Sequence, residues 1–392
     1  MEGMEGRTRF NCSEGIGKIM RILSAVCLLI VSVTLIQCVQ HSESNISTTP
    51  NLIEQELVEV KYAEGFNIVY QENFIKIITH SFDENTVFED SVFIVLDSSA
   101  ILNPQCKIIQ QESIRLACQS STHLAFLDEL ERLNNVVGLC GLEYVNNVGV
   151  SSILSKNEVV ELCMADQVLL ENLYQSNSDL FFIYPFGNAE SKDYSSKGIQ
   201  TLLIAEYLEK SQLARLEWIK LFGVLTGRTK EANAYFEEVE QAYLQLKNEN
   251  VPLEKTFIMN LPFQDQWFMP SSKSVGVELI EDAGIEYFYH DEKGTENIMH
   301  SNEQVWNDGI QADYWVIIAR RPSDFKLADL IAEVPVYKEF HSVQNQQVIF
   351  CNTNVVDYFS KGVIEPHIIL KDLCYATGQI ESHSPQYFFL LE

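Results

Sequence analysis

Two distant stretches of the chain repeat one pattern. Glu171-Asn172-Leu173-Tyr174 runs on to Asp179-Leu180-Phe181-Phe182-Ile183, and Glu303-Gln304-Val305-Trp306 runs on to Asp313-Tyr314-Trp315-Val316-Ile317. Each reads as a short amphipathic helix feeding an acidic residue and then an apolar strand, which is half of a β-α-β crossover. Between the copies lies the longest helical pattern of the chain, from about Leu213 to Lys247. Such a chain is expected to fold as two similar α/β lobes joined by helix, with a ligand cleft between them.

Charge narrows the choice of partner. The 392 residues hold 55 acidic against 27 basic side chains, a net charge of −28, and no long basic cluster. Phosphate backbones are bound through Lys and Arg, so nucleic acid is excluded as a partner. A hydrophobic content of 46% supplies ample core for two or three domains.

The amino terminus reads as export machinery. Lys18 and Arg21 precede an apolar run from Ile22 to Ile36, followed after Cys38 by a polar stretch through Ser47-Thr48-Thr49-Pro50. That is the layout of a signal peptide over residues 1–37 and a tether over 38–57. Met20 offers an alternative start. Leu35-Ile36-Gln37-Cys38 resembles a bacterial lipobox, which implies acylation of Cys38, although Gln37 replaces the usual small residue. The folded part is expected outside the cytoplasm. Beyond the leader, six cysteines remain, with no CxxC pair and no zinc-site spacing. Cys118, Cys140 and Cys351 sit in apolar runs as small buried hydrophobes, and Cys106 with Cys118 is the pair to test for a disulfide.

Periodicity predicts strands at 66–70, 74–79, 92–96, 114–119, 136–140, 180–184 and 201–205, with helices over 124–133 and about 167–174. Helical patterns then run up to and beyond Gly227. A second lobe follows, with strands at 256–261, 314–319 and 347–351, an aromatic loop at 266–270, and helices over 275–283, at Glu303 and over 363–375. Alternation of this kind implies mostly parallel sheets covered on both faces.

Several of these segments carry a family resemblance. Leu213-Ala214-Arg215-Leu216-Glu217-Trp218-Ile219-Lys220 with Gly223 and Gly227, Trp267-Phe268-Met269-Pro270, Glu281-Asp282-Ala283-Gly284, Ala312-Asp313-Tyr314-Trp315 and Lys361-Gly362-Val363-Ile364-Glu365-Pro366-His367 are quoted in chain order. Together they resemble the substrate-binding lipoproteins of iron-complex and vitamin B12 ABC importers, the Bacteroides-type versions above all, over nearly everything after Val58. The resemblance implies a class III periplasmic binding protein: two Rossmann-like α/β lobes, 58–228 and 251–392, joined by a long rigid helix at 229–250. It implies a monomer without a resident cofactor that carries an iron chelate, siderophore or haem, or cobalamin, to an inner-membrane permease and its ATPase. In the family one surface glutamate per lobe pairs with permease arginines, and Glu171 and Glu303 match those positions.

Ligand residues follow from the rule that open α/β sheets bind at the carboxyl ends of their strands. That nominates Ser121, Thr122, His123, Tyr144 and Phe186 in the first lobe, and Trp267, Phe268, Arg320 and Arg321 in the second. Aromatic rings would stack on a flat macrocycle and arginines would pair with carboxylates, whereas His123 is a candidate ligand for haem iron or cobalt. Enzyme readings lack their local devices, since no GxGxxG, GxxxxGK[ST], HExxH or GxSxG occurs. The alternatives are a metal chelatase-like enzyme on a related two-lobe fold, and a surface haem or corrinoid capture lipoprotein without a permease.

Overall fold

A computed structural model describes residues 57–392 apart from 81–88, 98–99, 101, 104–105, 112, 166, 184–193, 265 and 293–296. The expected signal peptide, Cys38, the tether up to its last residue, and Phe186 lie outside the described residues. Among the described residues no helix is long and apolar enough to cross a membrane.

The first lobe opens with the antiparallel strands β1 (Phe66–Tyr70), β2 (Phe74–His80) and β3 (Glu89–Val95), to which β4 (Ile108–Ile109) adds in parallel. Ile75, Ile77, Val92 and Ile94 are buried at alternating positions, as the two-residue period of strands requires. The α/β part runs β5 (Leu116–Cys118), α1 (Thr122–Glu129), β6 (Val136–Leu139), α2 (Val148–Lys156), β7 (Val160–Glu161), β8 (Cys163–Met164), β9 (Gln167–Val168), α3 (Leu170–Ser176), β10 (Leu180–Ile183) and β11 (Thr201–Leu203). Its parallel sheet has the order β11-β10-β5-β6-β7, and β8 and β9 form a small antiparallel pair beside it.

Two helices follow, α4 (Gln212–Thr226) and α5 (Thr229–Glu249). The Ser211 side chain caps α4 by accepting from the Ala214 N–H, and Gly227, at φ +68°, ends it in the left-handed region. The helices meet closely at Gly223, where a Cβ would lie 2.5 Å from that of Ala232 and 2.9 Å from the Arg228 carbonyl oxygen. Helix α4 is buried along almost its whole circumference, whereas α5 buries a single stripe that includes Ala232, Phe236, Val239 and Tyr243. With 21 residues, α5 spans roughly 30 Å. It holds the first lobe through Phe236, packed on Tyr62, and through Glu240, which pairs with Lys61 at 3.0 Å. It holds the second through Tyr235, which donates to the Ile364 carbonyl at 3.1 Å, and through Tyr243 and Lys247, which reach Asp282 at 2.6 and 2.9 Å.

The second lobe comprises β12 (Thr256–Met259), β13 (Gln266–Pro270), α6 (Val275–Glu281), β14 (Glu286–Tyr287), β15 (Asn297–Ser301), α7 (Asn302–Gly309), β16 (Tyr314–Ala319), α8 (Leu327–Glu333), α9 (His341–Gln344), β17 (Val348–Asn352), α10 (Pro366–Ala376) and β18 (Phe389–Leu390). Its sheet has the order β14-β12-β16-β17-β18, parallel except for β18. The succession β6-β5-β10-β11 in the first lobe therefore recurs as β14-β12-β16-β17 in the second. The repeated acidic residue has the same task in both. Asp179 accepts the Arg115 backbone N–H at 2.8 Å and Asp313 that of Thr256 at 2.9 Å. Each carboxylate, placed just before its own strand, satisfies an N–H at the start of the neighbouring parallel strand, where no ladder partner is available. The fold is thus two Rossmann-like lobes with a long helix contacting both.

Three expectations need correction. Gln266 to Pro270 is not a loop but β13, paired antiparallel with β15. Gln167 and Val168 form β9, so the helix before Asp179 starts only at Leu170. Cys106 and Cys118 are free thiols, Cys118 fully buried in β5 and Cys106 half-buried in the loop before β4, and the disulfide links Cys140 to Cys163 instead, so Cys140 is not a small buried hydrophobe.

Candidate functional site

The carboxyl ends of both sheets open onto one crevice. From the first lobe it is lined by Ser121, Leu124, Asp128 and Glu129 of α1 and its cap, and by Val145, Asn147 and Val150 around the start of α2. From the second lobe come Asp357, Ser360, Lys361 and Ile364, in the segment that follows β17. In this conformation the crevice has a cavity of about 30 Å³.

Carboxyl groups dominate its polar lining. Burial pushes Asp357 upward from the usual carboxylate range, and Asp128 and Glu129 in the same direction although both are exposed at the surface. The Lys361 ammonium pulls all three part of the way back, and is itself held to Glu365 at 3.0 Å, which raises its pKa. Strand-end logic does not nominate these carboxyls; the sequence signal nearest to them is Lys361, which opens one of the family-like segments.

The nominated residues divide by depth. Tyr144 is 64% exposed beside Val145, and Phe268 is 36% exposed on the outward face of β13, opposite Met299 of β15. Phe359, two residues from Asp357 and Lys361, is 63% exposed. Tyr144, Phe268 and Phe359 thus lie exposed in segments that follow the parallel strands β6, β12 and β17. Ser121 lines the crevice, while Thr122 donates to the buried Glu206 at 2.7 Å.

Trp267 faces inward. Alternation along β13 buries it completely against Trp315 and Tyr337, and its indole N–H donates to the Met259 carbonyl at 2.9 Å. Trp315 donates to the next carbonyl, Asn260, at 2.8 Å. The Trp267 indole thereby ties the β13–β15 pair to the carboxyl end of β12, and Phe268 projects from the opposite face. His123 is also interior, edge-on to Phe182 and packed on Phe222, and burial pushes its pKa down to about 3. Arg320 is exposed and donates to the Asn354 side chain at 3.1 Å, whereas Arg321 meets Glu333 with two nitrogens, each at 3.1 Å.

Glu171 and Glu303 are both exposed and sit in the first turns of α3 and α7. Each of these helices returns the chain to begin a parallel strand, so its N-terminus lies on the carboxyl-end side of its sheet, the side of the crevice. Among the described residues no group of three or more His, Cys, Asp or Glu is placed to hold a metal ion.

Two α/β lobes facing each other across a crevice, with one helix packed against both, define a bilobed ligand-binding protein. The chain belongs to the periplasmic binding protein family, whose sequence pattern matches residues 143–355, more than half of its length. An uncharacterized lipoprotein of Methanocaldococcus jannaschii is 24% identical over 90% of this chain and 92% of its own. A periplasmic heme binding protein from Pseudomonas aeruginosa superposes with a TM-score of 0.54 at 12% identity, covering 71% of this chain and 98% of that one. A molybdate periplasmic binding protein of a Haemophilus influenzae ABC transporter gives 0.55 at 12% identity, over 70% and 90% of the two chains. At such identities the likeness is one of fold.

Proposed function

We propose that the protein is the substrate-binding lipoprotein of an ABC importer, held outside the cytoplasm by a lipid on Cys38, and that it captures a metal chelate and hands it to an inner-membrane permease. The observation that carries this reading is a crevice between segments that follow the parallel strands of two matched sheets, with the exposed aromatic side chains Tyr144, Phe268 and Phe359 in segments of the same kind. Flat or bulky chelates present apolar faces that such side chains cover. The cavity as it stands is smaller than a chelate, so in this reading the ligand-bound crevice is more open, within the small hinge motion that a rigid connecting helix allows. Support for an extracytoplasmic site and a permease partner comes from the family, from the lipoprotein named above, and from the ABC transporter of the molybdate protein.

The lining also bears on the cargo. Asp128, Glu129 and Asp357 outnumber Lys361, and Arg321 is already engaged by Glu333, which favours a neutral or cationic chelate, such as cobalamin or a ferric hydroxamate, over a polyanion. The chelate is cargo, not a cofactor. Tyr144, Phe268 and Arg320 contact it in this reading, with Thr122, His123, Trp267 and Arg321 supporting them from behind. The division into lobes 58–228 and 251–392 with a connector at 229–250 is part of the same proposal.

Permease docking is assigned to Glu171 and Glu303, one carboxylate per lobe. Reversing both, Glu171→Arg with Glu303→Arg, is expected to lower chelate uptake by cells about tenfold or more while chelate affinity stays unchanged. Uptake at the native level would instead favour a capture protein that works without a permease.

A further inference from the structure

We propose that the Cys140–Cys163 disulfide, acting together with the Glu161 carboxylate, is the brace that positions the first lobe's wall of the crevice; this rests on the crevice being the ligand site. The disulfide closes the segment between β6 and β8, with the two cysteines 23 positions apart in sequence. Within that segment lie Val145, Asn147 and Val150, which line the crevice, and the exposed Tyr144.

The segment needs such a brace because burial contributes little to holding it. Tyr144 is 64% and Val148 83% exposed, and α2 buries only Val150 and Leu154. Its ends, by contrast, are tied at several points. The Cys140 backbone N–H donates to the Cys118 carbonyl at 2.9 Å, which fixes the end of β6 to that of β5. Gly141, at φ +80°, then turns the chain out of the sheet. Glu161 accepts the N–H groups of Gly141 and Leu142 at 2.9 and 2.8 Å, and that of Cys163 at 3.0 Å. One carboxylate therefore gathers both ends of the segment, and the S–S bond locks them covalently. The Asn147 side chain caps α2 by accepting from Gly149 and Val150, which carries the position of the ends into the wall.

Both cysteines are half-buried, within reach of a small reductant. The test compares amide hydrogen exchange in the oxidised protein, the same protein treated with a water-soluble phosphine, Cys140→Ala/Cys163→Ala, and Glu161→Gln. In the reduction the phosphine becomes its oxide, water supplies the oxygen, and each sulfur takes a proton. Exchange over residues 141–150 is expected to rise about tenfold or more in all three altered forms, while β5 and β10 keep their protection. Unchanged exchange at 141–150 would overturn the proposal, as would a uniform rise across the lobe, which is the mark of a general stabiliser. Titrating the same samples with haemin and cobalamin separates the two claims. Local loss of protection in a protein that binds neither supports the brace and counts only against the cargo reading. Equal affinity in braced and unbraced forms that do bind overturns the brace.

Discussion

Replacing Glu217 with alanine is expected to cost about 4 kcal/mol or more of folding stability, the scale for removing one member of a buried ion pair. Glu217 is fully buried on α4 and accepts the backbone N–H groups of Lys61, Tyr62 and Ala63 at 2.7–2.8 Å. Its partner Lys220, 2.8 Å away, also donates to the Glu59 carbonyl at 2.7 Å and lies 3.9 Å over the Phe236 ring. A second carboxylate, Glu209, accepts the next two backbone N–H groups, of Glu64 and Gly65. The strap from Leu57 to Gly65 is thus bound to α4 by charge-assisted hydrogen bonds.

Loss of Glu217 leaves a buried ammonium and three N–H groups without their acceptor. The double change Glu217→Leu/Lys220→Met removes the stranded charge but not the orphaned N–H groups, so it should still cost about 2 kcal/mol. Denaturant titration measures both. A loss below about 1 kcal/mol for the single change would be out of line with a buried pair and would refute this account of the strap.

The second large effect concerns acid stability. Burial holds His123 neutral, with its pKa lowered from 6.5 to about 3. A base with a depressed native pKa contributes stability that is complete above its unfolded pKa and is lost as pH falls toward the native one. Below pH 6.5 the protein should therefore lose about 1.4 kcal/mol per pH unit through this residue alone. His123→Leu, which keeps an apolar side chain among Phe182 and Phe222, should remove that share of the slope and leave the share due to carboxylates. Measured between pH 7 and 4, the variant should gain stability relative to the native protein as the medium acidifies; a constant difference would show that His123 is not buried neutral.

Much of the architecture is legible in local sequence because local physics sets it. Phe66 to Tyr70 and Tyr314 to Ala319 are β-branched and aromatic runs, and Gly227 ends α4 where the helical pattern breaks. The elements misread depend on distant partners. Gln266 to Pro270 becomes a strand only because Asn297 to Ser301, well downstream, pairs with it. Cys140 meets Cys163 because β6 pairs in parallel with β7, which delivers the start of β8 beside the end of β6.

The site was harder to read. Strand-end logic reaches the exposed Tyr144, Phe268 and Arg320, but residue type alone does not tell which of two adjacent aromatics faces out, so it does not separate Trp267 from Phe268. The carboxyls of Asp128, Glu129 and Asp357 acquire their raised pKa through burial, which is a property of the folded chain and not of the local sequence. Asp179 and Asp313 were visible as a repeated acidic position, yet their shared task, holding the first N–H of the neighbouring strand, appears only in three dimensions.

The most direct test of the central claim is a binding titration of a form beginning at Ser42, which retains the Leu57 to Gly65 strap. Tryptophan fluorescence, confirmed by calorimetry, would follow additions of cobalamin, haemin, ferric hydroxamate and catecholate siderophores, and molybdate. Saturable one-to-one binding of one chelate at micromolar affinity or better is the predicted result, with neutral or cationic complexes ahead of polyanions. Binding of none of them, by protein shown to unfold cooperatively, would contradict the assignment of this crevice to metal chelates.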